Sequence, residues 1–384
     1  MIKLIRLERR SGRHQCSECG KRHIQGLFDE FEPVRFRDCS IGDFPTFLET
    51  TAMRVACCGG TRVERLPFAM PGFRMTKRFF NRIAALCTRM PVSSVAEMAG
   101  LAWETVARVD KEAIRLALGT RLPKELRLKW IGVDEVSRTG GRIYFTVVTD
   151  LKSGRVVWIG DGRGEDGLLP FITALGRRGR NRIRIAVSDL GYKGIIERHL
   201  LKAVPILDRF HIVKWINEAL NEVRRRIFGA APEDEVGQTV KAKKWMLLSA
   251  RERLKHKDKL LLHKLIAQNQ PLYEAYLLKE QLRGILKYPW RYLGALRRRL
   301  EEWVDAATGS VPEIAKVAKR LAKHIESVVA GHKHKVPLGL CEAINGKIAS
   351  LRVQARGYSD PEYFKLKIFQ RCSLPENPWA RIVL

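Results

Sequence analysis

The feature that does most to limit the fold is a change of hydrophobic period at about residue 128. Upstream, from residue 71, apolar residues recur at helical spacing. Between residues 128 and 208 they instead form short extended runs rich in Val, Ile, Tyr, Phe and Trp. Strands are expected at 129–135, 142–150 and 155–160, joined by glycine-containing turns. A helix at 166–175, a strand at 183–189, a second helix at 192–200 and a last strand at 204–208 follow. Three strands joined by hairpins make an antiparallel meander. A strand reached through a helix returns parallel to a neighbour. The order βββαβαβ therefore predicts one mixed sheet with helices on it, an α/β fold.

That order is the order of an RNase-H-like mixed sheet, in which the first and fourth strands are neighbours. Asp134 falls late in the first strand and Asp189 at the end of the fourth. Adjacent strands lie roughly 4.8 Å apart, so two such carboxylates can share divalent cations, as two-metal phosphodiester chemistry requires. Glu135, Asp150, Asp161 and Asp166 also lie at strand ends or turns, where acids commonly cap or turn the chain. The weight therefore rests on the pair and its topology.

After residue 211 the pattern is helical for more than a hundred residues, with stripes at 215–226, 245–266, 271–286, 290–304 and 311–329. A further helix follows at 340–352. Ile344, Ile348 and Leu351 are its expected buried stripe, and Glu342, Asn345 and Arg352 point elsewhere. Glu342 is the candidate third carboxylate, although a solvated Glu on an amphipathic helix is commonplace.

Eight cysteines stand at 16, 19, 39, 57, 58, 87, 341 and 372. Cys16-Ser-Glu-Cys19-Gly20 has the C-x-x-C-G spacing of a zinc knuckle, which lets two thiolates meet one tetrahedral ion. A second spaced pair is lacking. Cys57 and Cys58 are adjacent, and adjacent side chains normally diverge. The expected zinc ligands are Cys16 and Cys19 with one or both of Cys57 and Cys58, with Cys39, His14 or His23 as substitutes. Cys87, Cys341 and Cys372 read as ordinary buried thiols. Downstream, Thr76 can cap a helix carrying Phe79, Phe80, Ile83, Ala84 and Leu86, and Met90-Pro91 ends it. Two short amphipathic helices joined at Gly100-Leu101 then read as a helix-turn-helix. In the second, Val106, Val109 and Ala113 face inward. Trp103, Glu104, Thr105, Arg108 and Lys111 face outward, with Trp103, Thr105, Arg108 and Lys111 the candidate DNA contacts.

Charge fits such a partner. There are 71 Lys and Arg against 41 Asp and Glu, a formal charge of +30, and 45% of residues are hydrophobic. A chain so composed can bury a core, which excludes wholesale disorder. The basic excess is present in each of the segments 1–130, 131–211, 212–330 and 331–384, so a polyanion contacting the whole body is expected rather than one held by a tail. No apolar run is long enough to span a bilayer, and the first ten residues lack a secretory core. A cytoplasmic protein without membrane association is expected.

Together, Ile131-Gly-Val-Asp134-Glu135, Val187-Ser-Asp189, Asp208-Arg-Phe-His211-Ile-Val-Lys214, Asn221-Glu-Val-Arg-Arg225 and Glu342-Ala-Ile-Asn345-Gly-Lys-Ile348, followed by Ala355-Arg-Gly357-Tyr358, resemble bacterial insertion-sequence transposases with an N-terminal zinc-binding region, a helix-turn-helix and a DDE domain. The resemblance implies that Asp134, Asp189 and Glu342 form the metal-binding triad, with Mg²⁺ or Mn²⁺ as cofactor and Zn²⁺ as a second metal. Asp208 and His211 match an accessory D-x-x-H element. The implied organisation is a zinc-binding region at 1–70, a helix-turn-helix at 71–127, the first part of the catalytic core at 128–211, an all-helical insertion at 212–330 and the core's C-terminal part at 331–384. The implied partners are double-stranded DNA, as transposon ends and target, and a second copy of the chain in a homodimer or higher synaptic oligomer. An RNase-H-like nuclease or resolvase without strand transfer and a non-catalytic DNA-binding regulator are the alternatives.

Overall fold

A computed structural model describes residues 2–8, 13–24, 33–119, 123–138, 143–228, 244–267, 269–354 and 359–374. The chain divides into two compact units, Met1–Thr120 with Val353–Leu384, and Arg121–Arg352.

The first unit opens with strands that the sequence reading did not anticipate. They are β1 (Lys3–Arg6), β2 (His14–Gln15), β3 (Arg22–His23), β4 (Val34–Ile41), β5 (Phe44–Thr50), β6 (Arg54–Cys57) and β7 (Gly60–Val63). β5 is the centre of a three-stranded sheet, parallel to β1 and antiparallel to β4, while β2–β3 and β6–β7 are separate hairpins. Three helices follow: α1 (Lys77–Cys87), α2 (Val92–Ala99) and α3 (Trp103–Leu118). Thr76 caps α1 as expected, its hydroxyl accepting the Phe79 N–H at 3.2 Å. The turn between α2 and α3 needs Gly100, whose φ of 61° lies in the left-handed region. Phe79, Phe80 and Ile83 of α1, Val95 of α2 and Val106, Val109 and Ala113 of α3 form one core.

In the second unit β8 (Trp130–Ser137), β9 (Tyr144–Asp150) and β10 (Arg155–Asp161) are followed by α4 (Gly164–Arg180), β11 (Ile185–Ser188), α5 (Leu190–His199) and β12 (Val204–Leu207). The sheet order is β10-β9-β8-β11-β12. β8–β9 and β9–β10 are antiparallel, and β11 is parallel to both β8 and β12. This is the mixed RNase-H-like order that βββαβαβ predicted. Leu168, Phe171 and Ile172 of α4 and Ile195 and Ile196 of α5 cover one face with Ile131, Val133 and Ala186.

The helical region comprises α6 (Arg209–Phe228), α7 (Lys244–Leu248), α8 (His256–Ala267), α9 (Gln270–Lys287), α10 (Leu293–Thr308), α11 (Pro312–Ala322) and α12 (Ile325–Lys333). The stripe expected at 311–329 is two helices, because the helical path breaks at His324 (φ −131°). These helices have a core of their own, in which Ile216, Leu220, Leu282, Leu300, Trp303 and Leu321 are almost wholly buried. The chain then returns as α13 (Leu340–Gln354), whose Ile344, Ile348 and Leu351 are buried as expected.

The last helix, α14 (Pro361–Ser373), belongs to the first unit. It packs on α3 through a buried polar cluster. Asp110 accepts from Tyr363 Oη at 2.6 Å, Lys367 Nζ at 2.9 Å and Gln370 Nε2 at 3.2 Å. Lys367 also donates to the Cys87 carbonyl that ends α1, at 2.8 Å. A buried carboxylate with three donors is satisfied, whereas one left unpaired would be costly. α14 is thus a fourth helix of the helix-turn-helix unit.

Candidate active site and cysteine cluster

The acids stand where the sheet ends. β8 and β11 pair Ile185 with Trp130, Ala186 with Ile131 and Val187 with Gly132. Continuing that register by two residues brings Asp189 level with Asp134. Asp189 is the N-cap of α5 and accepts the Gly191 N–H at 2.9 Å. A carboxylate at a helix N-terminus is favoured by the helix dipole.

Asp134 keeps 18% of its side chain exposed. Its Oδ1 accepts the Glu135 N–H at 2.8 Å, and its Oδ2 accepts Asn345 Nδ2 at 2.6 Å. His211 Nε2 lies 3.9 Å from Oδ1. Burial pushes the Asp134 carboxyl above its ordinary range and the charge of Asp189 adds to this, against the Glu135 N–H, His211 and Asn345, which favour the charged form. Asp208, which directly follows β12 and is buried, is pushed up to about 6, mainly by burial with Asp134 adding, despite its bond from the Phe210 N–H. Burial also raises Glu135, with a contribution from Asp189. Asp134, Asp189, Asp208 and His211 therefore form one electrostatic neighbourhood in which the carboxylates raise one another.

Glu342 is exposed in the first turn of α13, one turn before Asn345. Among the described residues Asp134, Asp189 and Glu342 do not form a group of ligand atoms within 4.8 Å of one another. What links the third acid to the first is α13 itself. Asn345 binds Asp134, and Arg352 Nη1 donates to the Ser137 carbonyl at 2.9 Å. Both residues lie off the buried stripe, as expected, and both tie α13 to β8. The signal for Asn345 was its i+3 spacing from Glu342, which puts the two on one face.

The four cysteines expected as zinc ligands come together. Sγ atoms of Cys16, Cys19, Cys57 and Cys58 all lie within 4.8 Å of one another. Adjacent Cys57 and Cys58 both reach the cluster because they sit on the β6–β7 hairpin turn, where Cys58 (φ 53°) and Gly59 (φ 71°) are both left-handed. The Lys21 N–H and the neighbouring thiols pull Cys19 down to about 7, while Cys58 is pushed up to about 12, chiefly by Cys19 and Cys57. Such a set suits a thiophilic ion. The proposed substitutes lie elsewhere. His14 is bound to Glu64 at 3.1 Å and faces His23 across β2–β3, and Cys39 packs against the helix-turn-helix core.

On α3, Trp103 and Arg108 are exposed, the latter with its guanidinium 4.6 Å from the Phe73 ring centre. Thr105 is half-buried. Lys111 is held by Asp360 at 2.6 Å and lies over the Tyr363 ring, so α14 engages it. Asp110, which the sequence reading left unremarked, organises that side of the helix.

A helix-turn-helix, an RNase-H-like sheet with one acid on its central strand and another directly after the neighbouring strand, and a helical region before a helix that carries a third acid define a DDE-type transposase. Comparison with known proteins agrees. A family model for the ISL3 DDE domain, described as "Transposase", matches residues 131–368, and one described as "Helix-turn-helix domain of transposase family ISL3" matches 64–114. The chain belongs to the ISL3 family of transposases. It is 30% identical over 372 residues to the transposase for insertion sequence element IS1001 of Bordetella parapertussis, covering 94% of this chain and 89% of that protein. It is 28% identical over 377 residues to the transposase for insertion sequence element IS1557 of Mycobacterium tuberculosis, covering 91% and 83%. It is accordingly a DNA-cleaving and strand-transferring enzyme, in preference to the nuclease and regulator alternatives. No helix among the described residues is long and apolar enough to cross a membrane.

Proposed function

We propose that this transposase binds the terminal inverted repeats of its insertion sequence and catalyses divalent-metal-dependent cleavage and strand transfer with Asp134, Asp189 and Glu342. The observation that carries the reading is that Asp189, directly after the strand parallel to β8, stands close enough to Asp134 for their charges to interact, with Asp134 bonded to the helix that bears Glu342. The donor set fits a hard cation. Each Asp134 oxygen accepts one N–H and keeps a lone pair, and burial with a neighbouring acid leaves the carboxyl short of positive charge. Bound there, Mg²⁺ or Mn²⁺ supplies Lewis-acid activation of water or a 3′-hydroxyl and offsets charge developing on the phosphate. Asp134 is the enclosed anchor, Asp189 is presented by the α5 cap, and Glu342 closes the site from α13. His211, with Nε2 3.9 Å from Asp134 Oδ1, is the histidine of the accessory Asp208–His211 element.

Recognition falls to residues 71–127, with Trp103, Thr105 and Arg108 on α3 as groove contacts and Lys111 acting through α14. The four-cysteine cluster holds Zn²⁺ and stiffens the N-terminal hairpins. The insertion at 212–330 grips DNA through phosphate contacts. Two ends require two chains, so the working form is a homodimer or higher synaptic oligomer. The test uses end-containing duplexes with Mg²⁺. Wild type yields cleaved and joined products, while D189N and E342Q retain end binding and lose both. Cleavage by D189N at the wild-type rate would overturn the assignment, and cleavage without joined product in wild type would favour a nuclease.

A further inference from the structure

We infer that Asn345 is a positioning residue, fixing the Asp134 carboxylate for metal binding and setting the level of Glu342 through the same hydrogen bond. This rests on the assignment of Asp134, Asp189 and Glu342 proposed above.

Three observations support it. First, the contact is short and crosses the fold: Asn345 Nδ2 donates to Asp134 Oδ2 at 2.6 Å, between residues 211 positions apart. An amide has no charge to place on a carboxylate, so it orients the group without neutralising it, and the carboxylate keeps its demand for a cation. With the Glu135 N–H on Oδ1 at 2.8 Å, both oxygens are fixed and the plane of the carboxylate is set. Second, Asn345 is three residues beyond Glu342, on the same face of α13. Fixing one fixes the other to within about a helical turn of 5.4 Å. Third, the rest of α13 is built for close approach to β8. Gly132 has no side chain where a Cβ would stand 2.4 Å from Cys341 Sγ, and Arg352 holds the far end of the helix to the Ser137 carbonyl at 2.9 Å. Of these contacts only Asn345 reaches a carboxylate of the site.

Partners that orient metal-binding groups typically change affinity by about 10–100-fold when removed. The experiment titrates the full-length protein with Mn²⁺ alone, reading free Mn²⁺ by electron paramagnetic resonance, and compares wild type with N345L, N345Q and D189N. N345L keeps the branched four-atom outline of Asn and removes the donor. It is expected to bind Mn²⁺ at least about tenfold more weakly, with thermal melting and end-DNA binding close to wild type. N345Q, which keeps the amide on a longer arm, is expected to recover part of the loss. If N345L fails to fold, N345A removes the same donor without bulk and carries the same expectation. Mn²⁺ affinity within twofold of wild type in a folded N345L or N345A would overturn the inference. So would a loss that N345Q does not relieve at all, which would mark a packing role. D189N separates the two levels. If D189N loses Mn²⁺ while the Asn345 variants keep it, only the positioning role fails. If D189N also binds as wild type does, the carboxylate assignment itself fails.

Discussion

Gly132→Ala tests whether the closing helix is seated by the absence of a side chain on β8. A Cβ built at Gly132 meets Cys341 Sγ at 2.4 Å and Leu151 Cδ2 at 3.0 Å. Contact distances for such atoms are about 3.5–4.0 Å, so the overlap with sulfur is more than 1 Å. The leucine tip can rotate away. Cys341 cannot easily do so, since it is 4% exposed and sits in the first turn of α13 among Leu151, Ile185, Val187 and Ile206. Overpacking of this kind costs about 1–3 kcal/mol, which for a unit of this size lowers the melting temperature by about 2–4 °C per kcal/mol. Because the displaced element carries Glu342 and Asn345, Mg²⁺-dependent cleavage is expected to fall more than tenfold while end binding is kept. The decisive measurement is a double-mutant cycle with Cys341→Ala, which removes the sulfur. C341A alone leaves a small cavity costing about 1 kcal/mol, and G132A/C341A is expected to be more stable than the sum of the singles by about 1–2 kcal/mol. Additive stabilities, or a G132A protein that melts and cleaves as wild type does, would refute the reasoning.

Lys367→Met removes the charged donor from buried Asp110 and leaves only Tyr363 and Gln370 on it, so a loss of about 3 kcal/mol and weaker end binding are expected, read by thermal melts and gel shifts. Zinc content by atomic absorption is expected to fall in C58S and to stay at one ion per chain in C39S, because Cys58 belongs to the thiol cluster and Cys39 packs on the helices. Asp38 is wholly buried, and although burial opposes its charge, Arg78 and Thr76 hold its pKa below the ordinary 3.8. A depressed folded pKa gives stability that is present above 3.8 and is lost as pH falls through the folded value. Wild type is therefore expected to lose stability more steeply than D38N below about pH 4 in acid melts, and parallel curves would count against the pairing.

Much of the frame was legible because local rules and global packing agree in it. The βββαβαβ order needed only a period of two and turn glycines, and Thr76 and Gly100 announced their caps by residue type. The details that build the site were not legible for a common reason: they join residues far apart in sequence. Helical period told which residues of α13 are buried but not that Asn345 meets Asp134. Likewise Asp110 read as one more polar position on α3 until Tyr363, Lys367 and Gln370 arrived from a helix some 250 positions later. The cysteine cluster was hidden differently. Two adjacent thiols converge only when the backbone enters the left-handed region, and Cys58 does so at a residue type that rarely adopts it. The glycine that follows was the local clue.

A long helical insertion threatens the sheet it interrupts, since it leaves from β12, an edge strand whose outer groups need partners. The chain resolves this at the insertion's own end. α12 returns along β12, and the Ser327 hydroxyl accepts the Leu207 N–H at 2.7 Å while donating to the Pro205 carbonyl at 3.1 Å. Pro205 itself lacks an N–H to donate, which suits an edge position. Close approach is possible because Gly331 faces Ile206, where a Cβ would stand 3.2 Å from the Ile206 side chain. One serine and one glycine thus let the insertion cover the edge it created. The core of the helices takes in Leu207 of β12, which pairs with Ser188 of β11, so the insertion is packed onto the sheet that carries the acids. The return of α12 to the sheet also starts α13 near β8, so the insertion delivers the third acid to the strand that carries the first.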